Sequence, residues 1–151
     1  MNQGDIALLN DPVARRLLNS TIPARLAYSW TDGTPRVVPI WFEWDGTHVV
    51  LGTPARAPKL KALQVHPAVA LTIDDNTFPH KVLLIRGEAT IEMHPDVVTE
   101  YARAATRYFG PEQGPAWVSQ LKGKPMARIE ISPNWVGILD FETRFPSALS
   151  A

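Results

Sequence analysis

The pattern of apolar and polar positions along this chain predicts six β-strands. Runs rich in β-branched and aromatic residues, bounded by turn residues, predict strands over residues 25–30, 36–44, 48–53, 68–74 and 81–92. A last strand is predicted over 127–141, interrupted by Ser132-Pro133-Asn134. The strands are too closely spaced for parallel crossovers, so we expect a six-stranded antiparallel barrel.

Helical spacing appears in four segments. Asp11 before Pro12 predicts the N-cap and first turn of a short amphipathic helix. Residues 58–66 also have helical spacing, with Ala57 as the predicted N-cap. Two further helices are predicted over 95–109 and 111–121. These helices would cover the ends of the barrel.

Composition and charge exclude several classes of function. At 151 residues with 45% apolar content, the chain fits one domain, residues 1–151, with a real core. Fifteen basic residues balance fifteen acidic ones, so no net charge favours nucleic acid or a membrane surface. No apolar run is long enough to span a bilayer, and the N-terminal residues do not resemble a signal peptide. We therefore expect a cytoplasmic protein.

Common catalytic and metal-binding motifs are missing from the sequence. There is no cysteine, which excludes thiolate catalysis and thiolate metal ligands. Neither a dinucleotide-binding glycine motif nor a P-loop occurs. The four histidines are scattered without ligand spacing, so we expect no metal site.

A basic stretch without carboxylates predicts an anion site. Residues 46–73 contain no acidic residue but carry Arg56, Lys59 and Lys61. Alanine at the predicted N-cap offers no acceptor to the free N–H groups of the first helical turn. A phosphate would satisfy them, helped by the basic side chains and the Thr53 hydroxyl. The alternative is a solvated helix start capped by water.

The strand over residues 36–44 reads RVVPIWFEW and carries a proline at its centre. Proline cannot donate to a strand ladder, so we predict a break in pairing at Pro39. Both faces of the strand are apolar, and backbone groups beside the break could bind the edge of a flat heteroaromatic ring. A ring here and a phosphate at the basic stretch predict a site for flavin mononucleotide (FMN). The alternative is a buried bulge that packs the core.

These motifs, in this order, resemble the pyridoxamine phosphate oxidase-like, FMN-binding split-barrel family, over about residues 22–145. The resemblance implies a six-stranded, Greek-key split barrel and a homodimer with cofactor sites at the subunit interface. It also implies that FMN is bound by the following residues: Arg36, Val37, Val38, Pro39, Ile40 and Trp41 on one strand, Gly52 and Thr53 on the next, Arg56 and Lys59 at the phosphate, Lys81 on the fifth strand, and Trp135 and Arg144 (followed by Phe145) reaching the flavin of the other subunit.

The implied activity is flavin-mediated hydride or electron transfer to a small molecule. The cofactor would carry the chemistry, so no side chain is predicted as catalytic acid or base. Arg36 is expected to stabilise negative charge on the reduced ring. Two alternatives remain: a reductase that uses a deazaflavin coenzyme, whose acidic tail would suit Arg56, Lys59 and Lys61, and a flavin or haem carrier without turnover.

Overall fold

The computed structural model describes residues 2–144, and its organising element is one antiparallel sheet. Within these residues the sheet has seven strands in the order β2-β1-β5-β6-β7-β4-β3. Their bounds are β1 Ala24–Ser29, β2 Pro35–Ile40, β3 Glu43–Trp44, β4 Val49–Pro54, β5 Ala68–Asp74, β6 Lys81–His94 and β7 Met126–Asp140. The protein is therefore mainly β, as the alternating pattern predicted.

Helices precede the first strand and occupy two of the connections between strands. A 3-10 helix, Ile6–Asn10, precedes α1, and the four α-helices are α1 Pro12–Leu18, α2 Lys59–Val65, α3 Thr99–Phe109 and α4 Gln113–Leu121. The Asp11 carboxylate accepts a hydrogen bond from the Val13 N–H at 2.9 Å, which confirms the predicted N-cap of α1. None of these helices is long and apolar enough to cross a membrane.

The expected count of six strands was wrong because the second predicted strand is two. β2 pairs with β1 at one edge of the sheet, whereas β3 pairs with β4 at the other edge. Only Trp41 and Phe42 separate them, so the chain crosses between the two edges within about 11 Å, three Cα–Cα steps. The two edges therefore approach each other at this corner.

Pro39 does not mark the break in pairing. It lies opposite Arg25, and the ladder continues to Ile40 opposite Ala24 before it ends. Proline is tolerated there because β2 is an edge strand with one unpaired side. The break falls at Trp41 and Phe42, where the chain leaves the ladder to cross the corner.

Gly87 forms the predicted irregularity of β6. The register between β6 and β7 shifts between Arg86 and Gly87, and β7 bulges at Asn134 opposite this point. A Cβ on Gly87 would lie 2.3 Å from the Ser132 carbonyl oxygen, so only glycine fits. The Ser132-Pro133-Asn134 segment therefore belongs to a continuous β7 with a one-residue bulge at Asn134, rather than forming the predicted interruption.

Register assigns the sheet two different faces. Leu26, Leu71, Ile85 and Val136 lie opposite one another across four strands and are at most 2% exposed, so their face forms the core. The adjacent row points away from this core, because successive residues of a strand face opposite sides. It contains Val37, Ala27, Ala70, Arg86 and Trp135. We call this side the outward face; Val37 is 66% exposed on it.

Candidate cofactor and ligand site

A cleft with four aromatic side chains in its lining lies between the end of β2, strand β4 and helices α3 and α4. Its larger part has a volume of about 350 Å³ and a smaller part, of about 170 Å³, adjoins it through Gly52, Tyr101 and Trp117. We call the two together the aromatic cleft. The larger part is lined by Pro39, Ile40, Trp41, Gly52, Tyr101, Phe109 and Trp117, and the smaller by Gly52, Thr53, Pro54, Tyr101, Trp117, Leu121, Lys124, Pro125 and Met126.

Five residues predicted for the cofactor site meet in this cleft: Pro39, Ile40, Trp41, Gly52 and Thr53. They come from two strands that are far apart in the sheet order but close at the corner where the chain crosses. The wall opposite them, from α3 and α4, was not assigned from sequence. The sequence signal for this wall was the group of aromatic residues between positions 101 and 117. Helical spacing alone could not show whether they line a site or pack in the core.

The aromatic residues of the crossing have structural partners in this chain. Trp41 stacks on Tyr108 with ring centroids 5.1 Å apart, and Phe109 meets its edge at 4.7 Å. Phe42 points into the core and is fully buried. The strand is therefore apolar on both faces because α3 covers one face and the core covers the other.

Arg107 fixes the crossing to α3. Its guanidinium donates to the Ser20 carbonyl at 2.9 Å, to the Phe42 carbonyl and to the Glu43 carboxylate. Tyr108 donates its hydroxyl to the Ile22 carbonyl at 3.0 Å, and burial raises the pKa of that hydroxyl. These bonds hold one wall of the aromatic cleft in place.

Gly52 allows α3 to approach β4. A Cβ at this position would lie 2.8 Å from the Tyr101 Cβ and 2.9 Å from the Met126 sulfur. Tyr101 therefore rests directly on the strand. Its hydroxyl accepts a hydrogen bond from the Trp117 indole N–H at 2.9 Å, which links α3 to α4.

A basic corner, formed by Thr53, Arg56 and Lys59, lies next to the cleft. Thr53 is 4% exposed, and the Lys59 ammonium donates to its hydroxyl at 3.3 Å. Burial lowers the pKa of Lys59 below its usual value. Within residues 2–144, no carboxylate lies within ion-pair distance of Lys59 or Arg56, so these cations have no protein counter-charge.

The predicted helix cap at this corner was wrong by one residue. Helix α2 begins at Lys59 and its N-cap is Pro58, whereas Ala57 lies in the preceding turn, where its N–H bonds to the Pro54 carbonyl at 3.0 Å. No side chain caps the helix, as expected. The turn places Arg56 on the exposed surface, and Lys61 is exposed as well.

The start of β2 lies in a second groove of about 380 Å³, where Arg36 and Arg86 both contribute to the lining with Asn134. The Arg86 guanidinium stacks on the Trp135 ring, 3.9 Å from its centroid. Sequence reasoning did not select Arg86, since one arginine in a strand carries no motif. Val38 alternates toward the core, while Val37 lies on the outward face.

Trp135 packs on the outward face of its own chain. Its ring lies close enough to Gly137 and Gly4 that a Cβ on either would be 2.6 Å and 2.9 Å away, respectively, from a ring atom. Trp135 is partly exposed and is not a core residue of β7.

Lys81 is separated from the basic corner along the sheet. It pairs with the Asp140 carboxylate at 2.6 Å and the Glu142 carboxylate at 2.6 Å. In the β6–β7 ladder, Lys81 and Asp140 form one end, whereas Ala127, the partner of Thr53, lies near the other. The structure therefore does not bring Lys81 to the aromatic cleft.

Asp140 anchors the turn that follows β7. Burial alone would raise its pKa, but hydrogen bonds from the Lys81 ammonium, the Thr143 hydroxyl and the Glu142 N–H hold the pKa of this carboxyl well below its usual range. Arg144 forms an antiparallel backbone bridge with Asp140, and its guanidinium lies 3.7 Å from the Asp11 carboxylate. Phe145, predicted beside it, lies outside the described residues.

Solved structures of similar fold include an F420 reductase, with 28% sequence identity, a TM-score of 0.65, and coverage of 80% of this chain and 93% of that one. A putative pyridoxamine 5'-phosphate oxidase from Listeria innocua has 21% identity and a TM-score of 0.60, covering 87% of this chain and 98% of that one. The haem storage protein HutZ from Vibrio cholerae has 17% identity and a TM-score of 0.60, covering 86% and 93%.

A comparison with curated protein sequences finds no match. The sequence profile of the pyridoxamine 5'-phosphate oxidase family, however, matches residues 11–140. This match covers most of the chain and agrees with the fold of the similar structures. The chain therefore belongs to the pyridoxamine 5'-phosphate oxidase family.

Proposed function

We propose that this protein binds FMN and uses it as an oxidoreductase acting on a small molecule. The observation that carries the proposal is the Lys59 ammonium, which is partly buried and hydrogen-bonded to a neutral hydroxyl with no carboxylate within reach among residues 2–144. A desolvated cation of this kind is stabilised by an anion. The phosphate of FMN supplies one, with Thr53 and Arg56 as further donors.

The residues present fit the remainder of the cofactor. Pro39, Ile40 and Trp41 line the aromatic cleft, where the pairing of β2 ends. Thr53 joins this cleft to the basic corner, so a ring and a phosphate have adjacent places. When bound, FMN supplies hydride or electron transfer, and the protein's part is to bind and orient it and to exclude water.

Arg36 is the side chain we expect to balance charge on the reduced ring. It is exposed and makes no ion pair within the described part of the chain. It lies on the same strand as the cleft residues but lines the second groove, at the start of β2, rather than the aromatic cleft. Its guanidinium donates to the Thr34 hydroxyl at 2.7 Å, which orients it without neutralising it.

We further propose that the protein is a homodimer with a split-barrel core in each subunit. The chain crossing at Trp41–Phe42 brings the two sheet edges together, as closure of a barrel requires. The outward face carries an exposed Val37 beside small residues, Ala27 and Ala70, which would let a second copy approach closely. Trp135 and Arg144 are our proposed contributions to the partner's cofactor site.

A deazaflavin coenzyme is the second candidate cofactor, because the F420 reductase of similar structure is 28% identical to this chain. Its longer acidic tail would extend from the basic corner toward Lys61. The experiment that tests both is a titration of the purified protein with FMN, with the deazaflavin and with haem. Micromolar or tighter binding of FMN supports the proposal, preference for the deazaflavin selects the second candidate, and binding of haem alone contradicts both.

A further inference from the structure

The hydrogen bond between Tyr101 and Trp117 leaves one proton without an acceptor. The Trp117 indole donates to the Tyr101 oxygen, so Tyr101 acts as acceptor in this bond. Among residues 2–144, nothing accepts the proton of the Tyr101 hydroxyl. A hydroxyl that already accepts a hydrogen bond is polarised toward donating its own proton. Tyr101 is therefore prepared to donate to a ligand.

Tyr101 lies where a ligand would need such a donor. It borders both parts of the aromatic cleft, beside Gly52. An apolar cavity of about 150 Å³ holds a benzene molecule, so the larger part, about 350 Å³, has room for a fused two-ring system.

The chemistry of the lining favours a planar ligand that is neutral or anionic. No carboxylate lines the cleft within the described residues, and its charged lining residue is Lys124, near the basic corner. Phe109 and Trp117 meet edge to face with ring centroids 6.5 Å apart and are 46% and 37% exposed, so a flat ring packed against this pair would cover aromatic surface that now faces water.

We propose that the aromatic cleft binds the carbonyl edge of a planar conjugated ring, with the Tyr101 hydroxyl donating to the carbonyl oxygen and Trp117 positioning that hydroxyl. This proposal rests on the proposed function in one respect, the source of the ring. The ring would belong either to a quinone-type substrate or to the flavin of the cofactor. In either case Tyr101 distinguishes a ring that carries a carbonyl from the same ring without one.

The test compares two soluble probes by equilibrium dialysis against the full-length chain freed of bound flavin. They are 1,4-naphthoquinone-2-sulfonate and naphthalene-2-sulfonate, which share ring system and charge but differ in the carbonyl groups. The chain has no cysteine thiol for the quinone to alkylate. Tyr101→Phe removes the donor and keeps the ring on Gly52. Tyr28→Phe, at a half-buried tyrosine outside the cleft, is the matched control.

We expect Tyr101→Phe to weaken quinone binding by roughly threefold to tenfold, the range for one neutral hydrogen bond, and to leave naphthalenesulfonate binding within about 1.5-fold. Trp117→Phe should weaken both probes, and Tyr28→Phe neither. A titration with FMN separates the two sources. If FMN binding weakens in Tyr101→Phe and quinone binding does not, the ring bound here is the cofactor's.

Two results in Tyr101→Phe would overturn the proposal: an equal loss of affinity for both naphthalene probes, or unchanged affinity for both the quinone and FMN. The hydrogen bond between Tyr101 and Trp117 would then only join α3 to α4. That result would not affect the FMN proposal, which depends on Lys59. Conversely, a protein that binds no FMN would still give a decisive result with the quinone pair.

Discussion

Replacement of Lys59 by methionine tests the phosphate site most directly. The side chain keeps its length and apolar stem but loses the ammonium that donates to Thr53 at 3.3 Å. With FMN bound, that ammonium would make a charge-assisted hydrogen bond to the phosphate. Such bonds contribute about 1.5–3 kcal/mol, so the dissociation constant for FMN should rise roughly 10- to 150-fold.

The same substitution should not destabilise the fold without cofactor. Burial lowers the pKa of Lys59, which means that its charged form is disfavoured in the folded protein. Because the group is partly exposed and screened by water, we expect Lys59→Met to raise the free energy of unfolding by only about 0–1 kcal/mol. Urea denaturation measures this. Lys59→Met would then weaken FMN binding while the free energy of unfolding stays the same or rises, so the lost affinity would not come from a destabilised fold.

Two controls isolate the phosphate. Riboflavin has the same ring without the phosphate, so its affinity should be equal in the wild-type protein and in Lys59→Met, as measured by quenching of flavin fluorescence. Lys61→Met removes an exposed cation two residues away and should change FMN affinity by less than about threefold. Unchanged FMN affinity in Lys59→Met, or an equal loss for riboflavin, would refute the phosphate site.

Four further predictions concern the crossing, the strand under α3, the subunit interface and the turn after β7. Arg107→Met should lower the free energy of unfolding by about 3–5 kcal/mol, since it leaves the Glu43 carboxylate and two carbonyls without their donor, and thermal denaturation measures the loss. Gly52→Ala should displace Tyr101 and cost about 1–3 kcal/mol by the same measurement. Val37→Glu should shift sedimentation from dimer to monomer and release FMN on dilution; a wild-type monomer that keeps its flavin would contradict the shared site.

Acid should weaken the turn after β7 through Asp140. Its folded pKa lies below the unfolded value near 3.9, so the stabilisation is fully present above about pH 4 and is lost as pH falls through the folded pKa. Asp140→Asn should therefore flatten the pH dependence of urea stability below pH 4. An unchanged slope in that variant would assign the acid sensitivity to other carboxylates.

Local patterns in the sequence determined the elements and the family. Runs of β-branched and aromatic residues between turn residues gave the strands, and Asp11-Pro12 gave the start of α1, because both signals depend on neighbouring residues only. Gly87 marked the irregularity of β6, although its cause is the contact with Ser132 of β7. The stretch without carboxylates located the basic corner, because the charges in a segment follow from its sequence and do not depend on the fold. The order of these motifs was specific enough to predict the family that the profile match shows.

Tertiary structure alone decided which residues share a site. Trp41 and Gly52 meet because the chain crosses between sheet edges in two residues, whereas Lys81 pairs with Asp140 near the opposite end of the β6–β7 ladder. Tyr101 and Trp117 entered the cleft for the same reason: their position depends on how α3 packs over Gly52, a contact between residues 49 positions apart. Such long-range contacts depend on strand order and packing, which local periodicity does not encode.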